Sequence, residues 1–160
     1  MKNGRSSGFY STQMWVYAGA ALFLVALLVT AILIPGLRIL HSLQALIYIA
    51  VIVLAHRRSA RGYGAGFAIA VVWNSMSLFV THLIQAGAVA FWLLLSTGHV
   101  QQLVPMMATL GGIGHSILIV AALFAVARHN TETRKWWKFA GGGLVSIAYF
   151  AVLVAMFQPH

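Results

Sequence analysis

The sequence predicts an all-α integral membrane bundle of five transmembrane helices, and three observations lead to this fold class. Hydrophobic residues make up 61% of the 160 positions, whereas charged residues make up only 7%. A soluble domain carries about 25% charged residues, so this composition would expose large apolar patches to water. Long apolar runs recur along the chain, and the basic residues gather between them. Lipid is therefore the expected solvent for most of the surface.

Five apolar runs are long enough to cross a bilayer, whose hydrocarbon core of about 30 Å requires about 20 helical residues. One transmembrane domain over 14–157 is expected to follow a mobile cytoplasmic tail over 1–13, and its predicted spans are 14–34, 37–55, 64–95, 103–127 and 139–157. Pro35 and Gly36 separate the first two spans, because this pair favours a turn.

The third run is the longest, and as one helix it would reach roughly 48 Å. No proline or charge marks a break within it. We expect a single helix that tilts or projects from the membrane, which bilayers tolerate at modest cost. The alternative is a turn near Gln85, which would make six spans.

The basic residues indicate the orientation, because they accumulate on cytoplasmic loops. With the amino terminus in the cytoplasm and the carboxyl terminus outside, five spans place nine of the ten Lys and Arg residues inside and only Arg38 outside. The expected location is a plasma membrane or a bacterial inner membrane, with anionic headgroups as partners of the basic loops. Nucleic acid is not expected, since the net charge of +9 is divided among short loops.

Polar residues inside the third span mark the expected functional interior. They follow one another at helical spacing on one face, namely Asn74, Ser77, Thr81 and Gln85, with His82 beside them. A helix in lipid must turn such a stripe toward other helices or a water-filled cavity. Two interpretations stay open: hydrogen bonds that hold the bundle together, or a polar site for a ligand.

The fourth span adds His115 and Ser116 beside glycines that allow close helix approach. Counted from the short turn between the third and fourth spans, His82 and His115 come to nearly the same depth, about 18–19 Å from the external interface. The predicted ligand-binding residues are therefore Asn74, Ser77, Thr81, His82, Gln85, His115 and Ser116.

Three roles are open for the two histidines at this depth. They can hydrogen-bond to neighbouring polar side chains, or take part in a proton relay or ion site. In the third alternative, His82 and His115 are the axial ligands of a b-type haem, and the glycines make room for the porphyrin. A smaller polar cluster of His41, Gln44 and Tyr48 near the external end of the second span could form the mouth of a cavity.

The residue inventory disfavours enzymatic chemistry. Glu132 is the only acidic residue, so no carboxylate pair exists for acid–base catalysis. The chain has no Cys, and its seven His residues lack zinc-binding spacings, so neither catalytic residues nor a metal site is predicted. We expect a protein that binds or transports a small polar or amphipathic molecule in its interior, possible assemblies being a homo-oligomer or a larger membrane complex. The alternatives are electron transfer through haem and a purely structural membrane subunit.

Overall fold

The computed structural model describes residues 4–100, 102–129 and 134–157, and the side chains of 12–100, 102–128 and 134–157. Throughout these ranges the regular secondary structure is helical, with no strand. The helices are α1 (Gly4–Leu33), α2 (Arg38–His56), α3 (Ala60–Phe79), α4 (Leu83–Thr97), α5 (Leu103–His129) and α6 (Lys135–Met156), and a 3-10 turn, Pro35–Leu37, joins α1 to α2.

Within the described residues, five helical segments are long and apolar enough to cross a membrane, which confirms that part of the prediction. They are Thr12–Leu33, Pro35–His56, Ala60–Val80, Leu103–Arg128 and Lys135–Met156. α4 is also apolar but has only 15 residues. The predicted tail is helical from Gly4 onward, and its mobility stays a prediction. Residues 1–3 and Glu132 lie outside the described residues.

The third predicted span, 64–95, is two helices instead of one. The break between α3 and α4 falls at 80–82, where His82 has a left-handed backbone with φ of 52°. Val80 and Thr81 both donate their backbone N–H to the carbonyl oxygen of Met76, so the regular helical pattern ends there. The expectation of one helix is corrected for a physical reason: the helices on both sides of the break are apolar, and hydropathy does not register a change of backbone direction.

α4 continues beyond the break in the same general direction as α3. Asn74 of α3 donates to the carbonyl oxygen of Gly112 in α5. Gly87 of α4 packs on the backbone of Pro105, in the first turn of α5. Successive contacts therefore move along α5 toward its amino terminus, so the chain does not reverse near Gln85 and the six-span alternative is not adopted.

The helices pack through close approach at glycines. α5 packs against α1, α3 and α4, while α6 packs mainly on α3. A Cβ built on Gly19 of α1 would lie 2.7 Å from the carbonyl oxygen of Gly114 in α5. A Cβ on Gly142 of α6 would overlap the backbone of Arg61 at the start of α3. Such small residues let two helix backbones pack directly on each other, which is how helices associate in lipid.

One end of the bundle collects the basic residues. α2 and α5 end there and α3 and α6 begin there, while Gln13 ties α1 to the same end by donating to the carbonyl oxygen of Ala55 at 2.8 Å. We call this the basic end, and it carries Arg57, Arg58, Arg61, Arg128, Arg134, Lys135 and Lys138. Arg38 lies at the opposite end, beside the turn that joins α1 to α2. Basic residues therefore group by end of the bundle, as the alternation of five spans predicts.

Candidate functional site

The interior of the bundle holds a chain of hydrogen bonds that joins α2, α5 and α3. Tyr48 Oη lies 2.6 Å from His115 Nε2, and His115 Nδ1 lies 3.3 Å from Asn74 Oδ1. The amide nitrogen of Asn74 donates in turn to Ser116 Oγ and to the Gly112 carbonyl oxygen, each at 3.4 Å. We call the four side chains the polar cluster: Tyr48, Asn74, His115 and Ser116.

For a neutral imidazole at His115, the pattern of donors selects one tautomer. Because Asn74 donates through its amide nitrogen, its Oδ1 faces His115 and can only accept. His115 Nδ1 therefore carries the hydrogen, and Nε2 accepts from the Tyr48 hydroxyl. Ser116 completes the chain by donating to the Gly112 carbonyl oxygen at 2.9 Å. The polar cluster is thus neutral and internally satisfied, which is the condition for burying polar groups in an apolar medium.

Aromatic rings enclose the polar cluster at His115, whereas Ser116 at its other end is exposed. His115 has no exposed surface, and Phe23 stacks on its ring with 3.9 Å between the centroids. Trp73 meets the same ring edge-on at 4.9 Å. The free space beside Phe23, Tyr48 and Trp73 measures only about 10 Å³, no more than a single water molecule requires. Protein atoms therefore fill this part of the interior.

The structure brings three of the seven predicted site residues into the polar cluster: Asn74, His115 and Ser116. A fourth, Ser77, is buried on α3. For these four residues, helical spacing before the break and the packing of α3 on α5 were enough to predict a position inside the bundle. Asn74, His115 and Ser116 hydrogen-bond to one another and to Tyr48. The first of the two interpretations, hydrogen bonds that hold the helices together, therefore accounts for their geometry.

The other three predicted residues lie at the break and are exposed, although the sequence predicts an inward orientation for them. Thr81 Oγ1 donates to the Met76 carbonyl oxygen at 3.5 Å, and Gln85 Nε2 donates to the carbonyl oxygen of Leu78. The last turn of a helix leaves carbonyl groups without intrahelical donors, and these two side chains serve them. His82 stands between them at the start of α4. The break redirects all three away from the interior.

His82 and His115 are not paired. The sequence predicts equal depths for the two histidines only if the third span is one unbroken helix. In the structure, Asn74 and Ile84 both contact Gly112, so the segment between these two residues advances little along α5. His115 therefore meets Asn74, and both of its ring nitrogens already take part in hydrogen bonds. This arrangement does not bring the two histidines to one site, and the haem alternative stays a prediction.

A wide groove opens on the outer surface between α2, α3 and α6. Its volume is about 580 Å³, within the range of about 300–1,000 Å³ for small-molecule sites. Apolar and small residues form most of its wall, with two polar residues along α6 and one arginine at the basic end: Leu46, Ile47, Ala50, Leu54, Ala65, Gly141, Gly142, Val145, Ser146, Tyr149 and Arg61. We call it the Arg61 groove.

The polar groups of the Arg61 groove differ in whether they have partners. Ser146 donates to the Gly143 carbonyl oxygen at 2.8 Å, and Tyr149 donates to the Leu43 carbonyl oxygen at 2.7 Å. Arg61 is exposed, and its guanidinium has no hydrogen bond or ion pair with any residue in the described part of the chain. A guanidinium has five N–H donors, so the groove ends in a cationic anchor whose donors are unused.

A second groove of about 550 Å³ lies between α1 and α5. Arg128 stands at its basic end, and Ser116 of the polar cluster lies along its wall. Here the guanidinium lies over the ring of Phe124, 4.9 Å from the centroid, so it already takes part in a cation–π contact. The Arg61 guanidinium has no such contact with a ring of the described residues, so it is the less constrained cation of the two.

Two site residues carry no clear signal in the sequence. Tyr48 shares a helix face with His41 and Gln44, and that spacing predicts a cluster at the external end of the second span. Instead, Phe23 packs on Tyr48 with 4.5 Å between the centroids and places it beside His115. In the sequence, Arg61 is one of several basic residues between two apolar runs. Only the small residues that follow it, Gly62 and Gly64, indicate close packing there.

Comparisons with protein-family models, with curated proteins and with solved structures find no match to this chain. The class of protein is therefore described from the fold and the site alone. In the part of the chain that the structure describes, that class is an all-helical bundle with five helices of membrane-spanning length, an interior filled around His115 and open grooves between its outer helices.

Proposed function

We propose that this chain is a multi-pass protein of a plasma membrane or bacterial inner membrane that binds an anionic amphiphile in the Arg61 groove. The amino terminus and the basic end lie in the cytoplasm in this proposal, and the carboxyl terminus lies outside, because basic segments are retained on the cytoplasmic side. The observation that carries the proposal is the unpartnered guanidinium of Arg61 at the end of an apolar groove.

Each part of an anionic amphiphile matches one part of the groove. A phosphate or carboxylate head forms charge-assisted hydrogen bonds with a guanidinium. Basic pockets between transmembrane helices on the cytoplasmic side are a recurrent site for anionic lipid heads. The chain of the ligand lies along Ala50, Ala65 and Gly141, where short side chains leave space. Since lipid tails are as apolar as this wall, selectivity comes from the head and from shape.

The position of the groove favours lateral entry. It opens between α2 and α6 on the outside of the bundle, so a ligand reaches it by diffusion within the leaflet. In the polar cluster, by contrast, Phe23 and Trp73 enclose His115, the space beside Phe23 and Tyr48 is only about 10 Å³, and only Ser116 reaches an open groove, the one between α1 and α5. The geometry thus favours binding at the lipid-facing surface over passage of a small polar molecule between α3 and α5.

Replacing Arg61 by Gln is expected to weaken binding of an anionic lipid about fivefold, because one basic residue near the membrane surface contributes about 1 kcal/mol to such binding. The probe is a phosphatidylglycerol with a photoreactive acyl chain, in vesicles that otherwise contain phosphatidylcholine. Labelling of α2 and α6 peptides is measured by mass spectrometry for the wild-type chain and for Arg61→Gln.

Arg57→Gln is the matched control, since Arg57 is an exposed arginine at the end of α2, four residues before Arg61, and does not line the groove. Gly141→Leu is a second variant, because a Cβ there meets open space and a larger side chain fills the groove without displacing a helix. Labelling that Gly141→Leu leaves intact, or that Arg57→Gln lowers as much as Arg61→Gln, contradicts the proposal.

A further inference from the structure

The groove between α1 and α5 lies on the basic side of the contact between these two helices. α1 packs directly on α5 where Gly19 meets Gly114. Toward the basic end the two helices leave a space of about 550 Å³, within the range of about 300–1,000 Å³ for small-molecule sites. We call this space the Arg128 groove, and its wall includes Trp15 of α1 and, on α5, Ser116, Val120, Phe124 and Arg128.

The α5 wall of the Arg128 groove changes its chemistry from one end to the other. Its residues Ser116, Val120, Phe124 and Arg128 follow one another at intervals of four, so they form one row along the helix. A hydroxyl stands at the inner end of the row, an apolar side chain follows it, and an aromatic ring with a cation stands at the basic end. Polar groups at both ends of an apolar row fit a ligand that is polar at two points.

The Arg128 guanidinium is held in place and keeps its hydrogen-bond donors. It lies over the ring of Phe124, 4.9 Å from the centroid. Stacking of this kind uses the face of the planar group, whereas its five N–H donors point outward in the plane. In the described part of the chain, none of them has an acceptor. An anionic head can therefore bind Arg128 at the basic end of the groove without displacing it from Phe124.

The hydroxyl at the inner end can accept one further hydrogen bond. Ser116 Oγ donates its hydrogen to the Gly112 carbonyl oxygen at 2.9 Å and accepts from the amide nitrogen of Asn74 at 3.4 Å. A serine oxygen has two lone pairs, so one of them is left. Ser116 is exposed and lines the groove, so a ligand can reach it. Because its only hydrogen is already donated, the group that binds there must be a donor, such as a hydroxyl.

The distance between the two polar points sets the length of the ligand. The Arg128 guanidinium reaches back to the ring of Phe124, which follows Ser116 by eight residues, or about 12 Å of helix. In an extended fatty acid, a hydroxyl on the twelfth carbon lies roughly 14 Å from the carboxylate, because about eleven bonds of about 1.5 Å form a zigzag. The two distances agree to within the length of one hydrogen bond.

We propose that the Arg128 groove binds a single-chain anionic amphiphile that carries a hydroxyl near its twelfth carbon, as a hydroxylated fatty acid does. The carboxylate forms charge-assisted hydrogen bonds with Arg128, and the hydroxyl donates to Ser116 Oγ. The hydrocarbon between these two groups lies along Val120, opposite Trp15 of α1. This site is separate from the Arg61 groove, whose wall belongs to α2, α3 and α6.

Competition between stearate and 12-hydroxystearate tests the site. Both are added at equal concentration to the Gly141→Leu chain in detergent micelles, and the two complexes are compared by native mass spectrometry. Since Gly141→Leu fills the Arg61 groove, the outcome is independent of the function proposed above. We expect roughly two- to tenfold more of the 12-hydroxystearate complex, the factor for one net hydrogen bond. The isomer 2-hydroxystearate, whose hydroxyl lies beside the carboxylate, should show no preference over stearate.

Variants of the two polar points identify where the fatty acids bind. Ser116→Ala should abolish the preference for 12-hydroxystearate while stearate still binds, and Arg128→Gln should weaken both about fivefold and keep their ratio. Ser96→Ala is the matched control, because Ser96 is an exposed helical serine that donates to its own helix, at Leu93, and does not line the groove. Equal binding of stearate and 12-hydroxystearate, or a preference that Ser116→Ala leaves intact or Ser96→Ala lowers equally, overturns the proposal.

Discussion

Replacing His115 by Ala is expected to destabilise the folded bundle by about 2–5 kcal/mol, the range for truncating a large buried side chain. The ring is fully buried, stacks on Phe23 and holds Tyr48 and Asn74 through its two nitrogens. Its removal leaves a cavity and two polar groups without partners. The measurement is the free energy of unfolding in mixed micelles, followed by circular dichroism during titration with a denaturing detergent.

Two further variants separate the packing of His115 from its hydrogen bonds. Tyr48→Phe keeps the ring volume and removes only the hydroxyl that donates to His115, so a smaller loss of about 1 kcal/mol is expected. His99→Ala is the control, because His99 is exposed beyond the end of α4 and should leave stability unchanged. If His115→Ala costs no more than His99→Ala, the polar cluster is not a structural element of the bundle.

Gly142→Ala is expected to destabilise the contact between α3 and α6 by about 1–3 kcal/mol, the usual cost of overpacking. The added Cβ would overlap the backbone carbonyl group of Arg61, which cannot rotate away as the end of a flexible side chain can. The two helices must therefore separate or shift. The loss is measured as a lower midpoint of thermal unfolding in detergent.

The neighbouring glycine provides the matched control for this change. A Cβ on Gly141 has no atom within 4 Å, so Gly141→Ala adds a methyl group to open space in the Arg61 groove. Because alanine favours a helix over glycine by up to about 1 kcal/mol, the control should be neutral or slightly stabilising. Similar losses for Gly141→Ala and Gly142→Ala would contradict the close approach of α3 and α6.

The membrane-spanning helices could be predicted because hydropathy and length report directly on them. The predicted ends at Ala55 and Ala127 lie within two residues of the ends of α2 and α5. The break at 80–82 could not be located in this way, because it involves no proline, glycine or charge. Two features of the sequence are related to the break. One is the excess length of the third run, and the other is the presence of Thr81 and Gln85, which donate hydrogen bonds to carbonyl groups left free at the end of α3.

The candidate site was predictable only as far as single-helix spacing reaches. Asn74 lies where the stripe on the third span predicts it, and it meets His115 because α3 and α5 pack against each other. Tyr48 joins them through packing between three helices, which no local pattern records. The Arg61 groove is open because short side chains from three separate helices, Ala50, Ala65 and Gly141, lie next to one another. Such a coincidence emerges only from the assembled bundle.

A density map of the protein in nanodiscs of phosphatidylglycerol and phosphatidylcholine tests the central claim most directly. An elongated density should lie along α2 and α6 with its head within hydrogen-bonding distance of the Arg61 guanidinium, and continuous side-chain density should join Tyr48, His115 and Asn74. The account is contradicted by a closed Arg61 groove together with a non-protein molecule between Asn74 and Ser116.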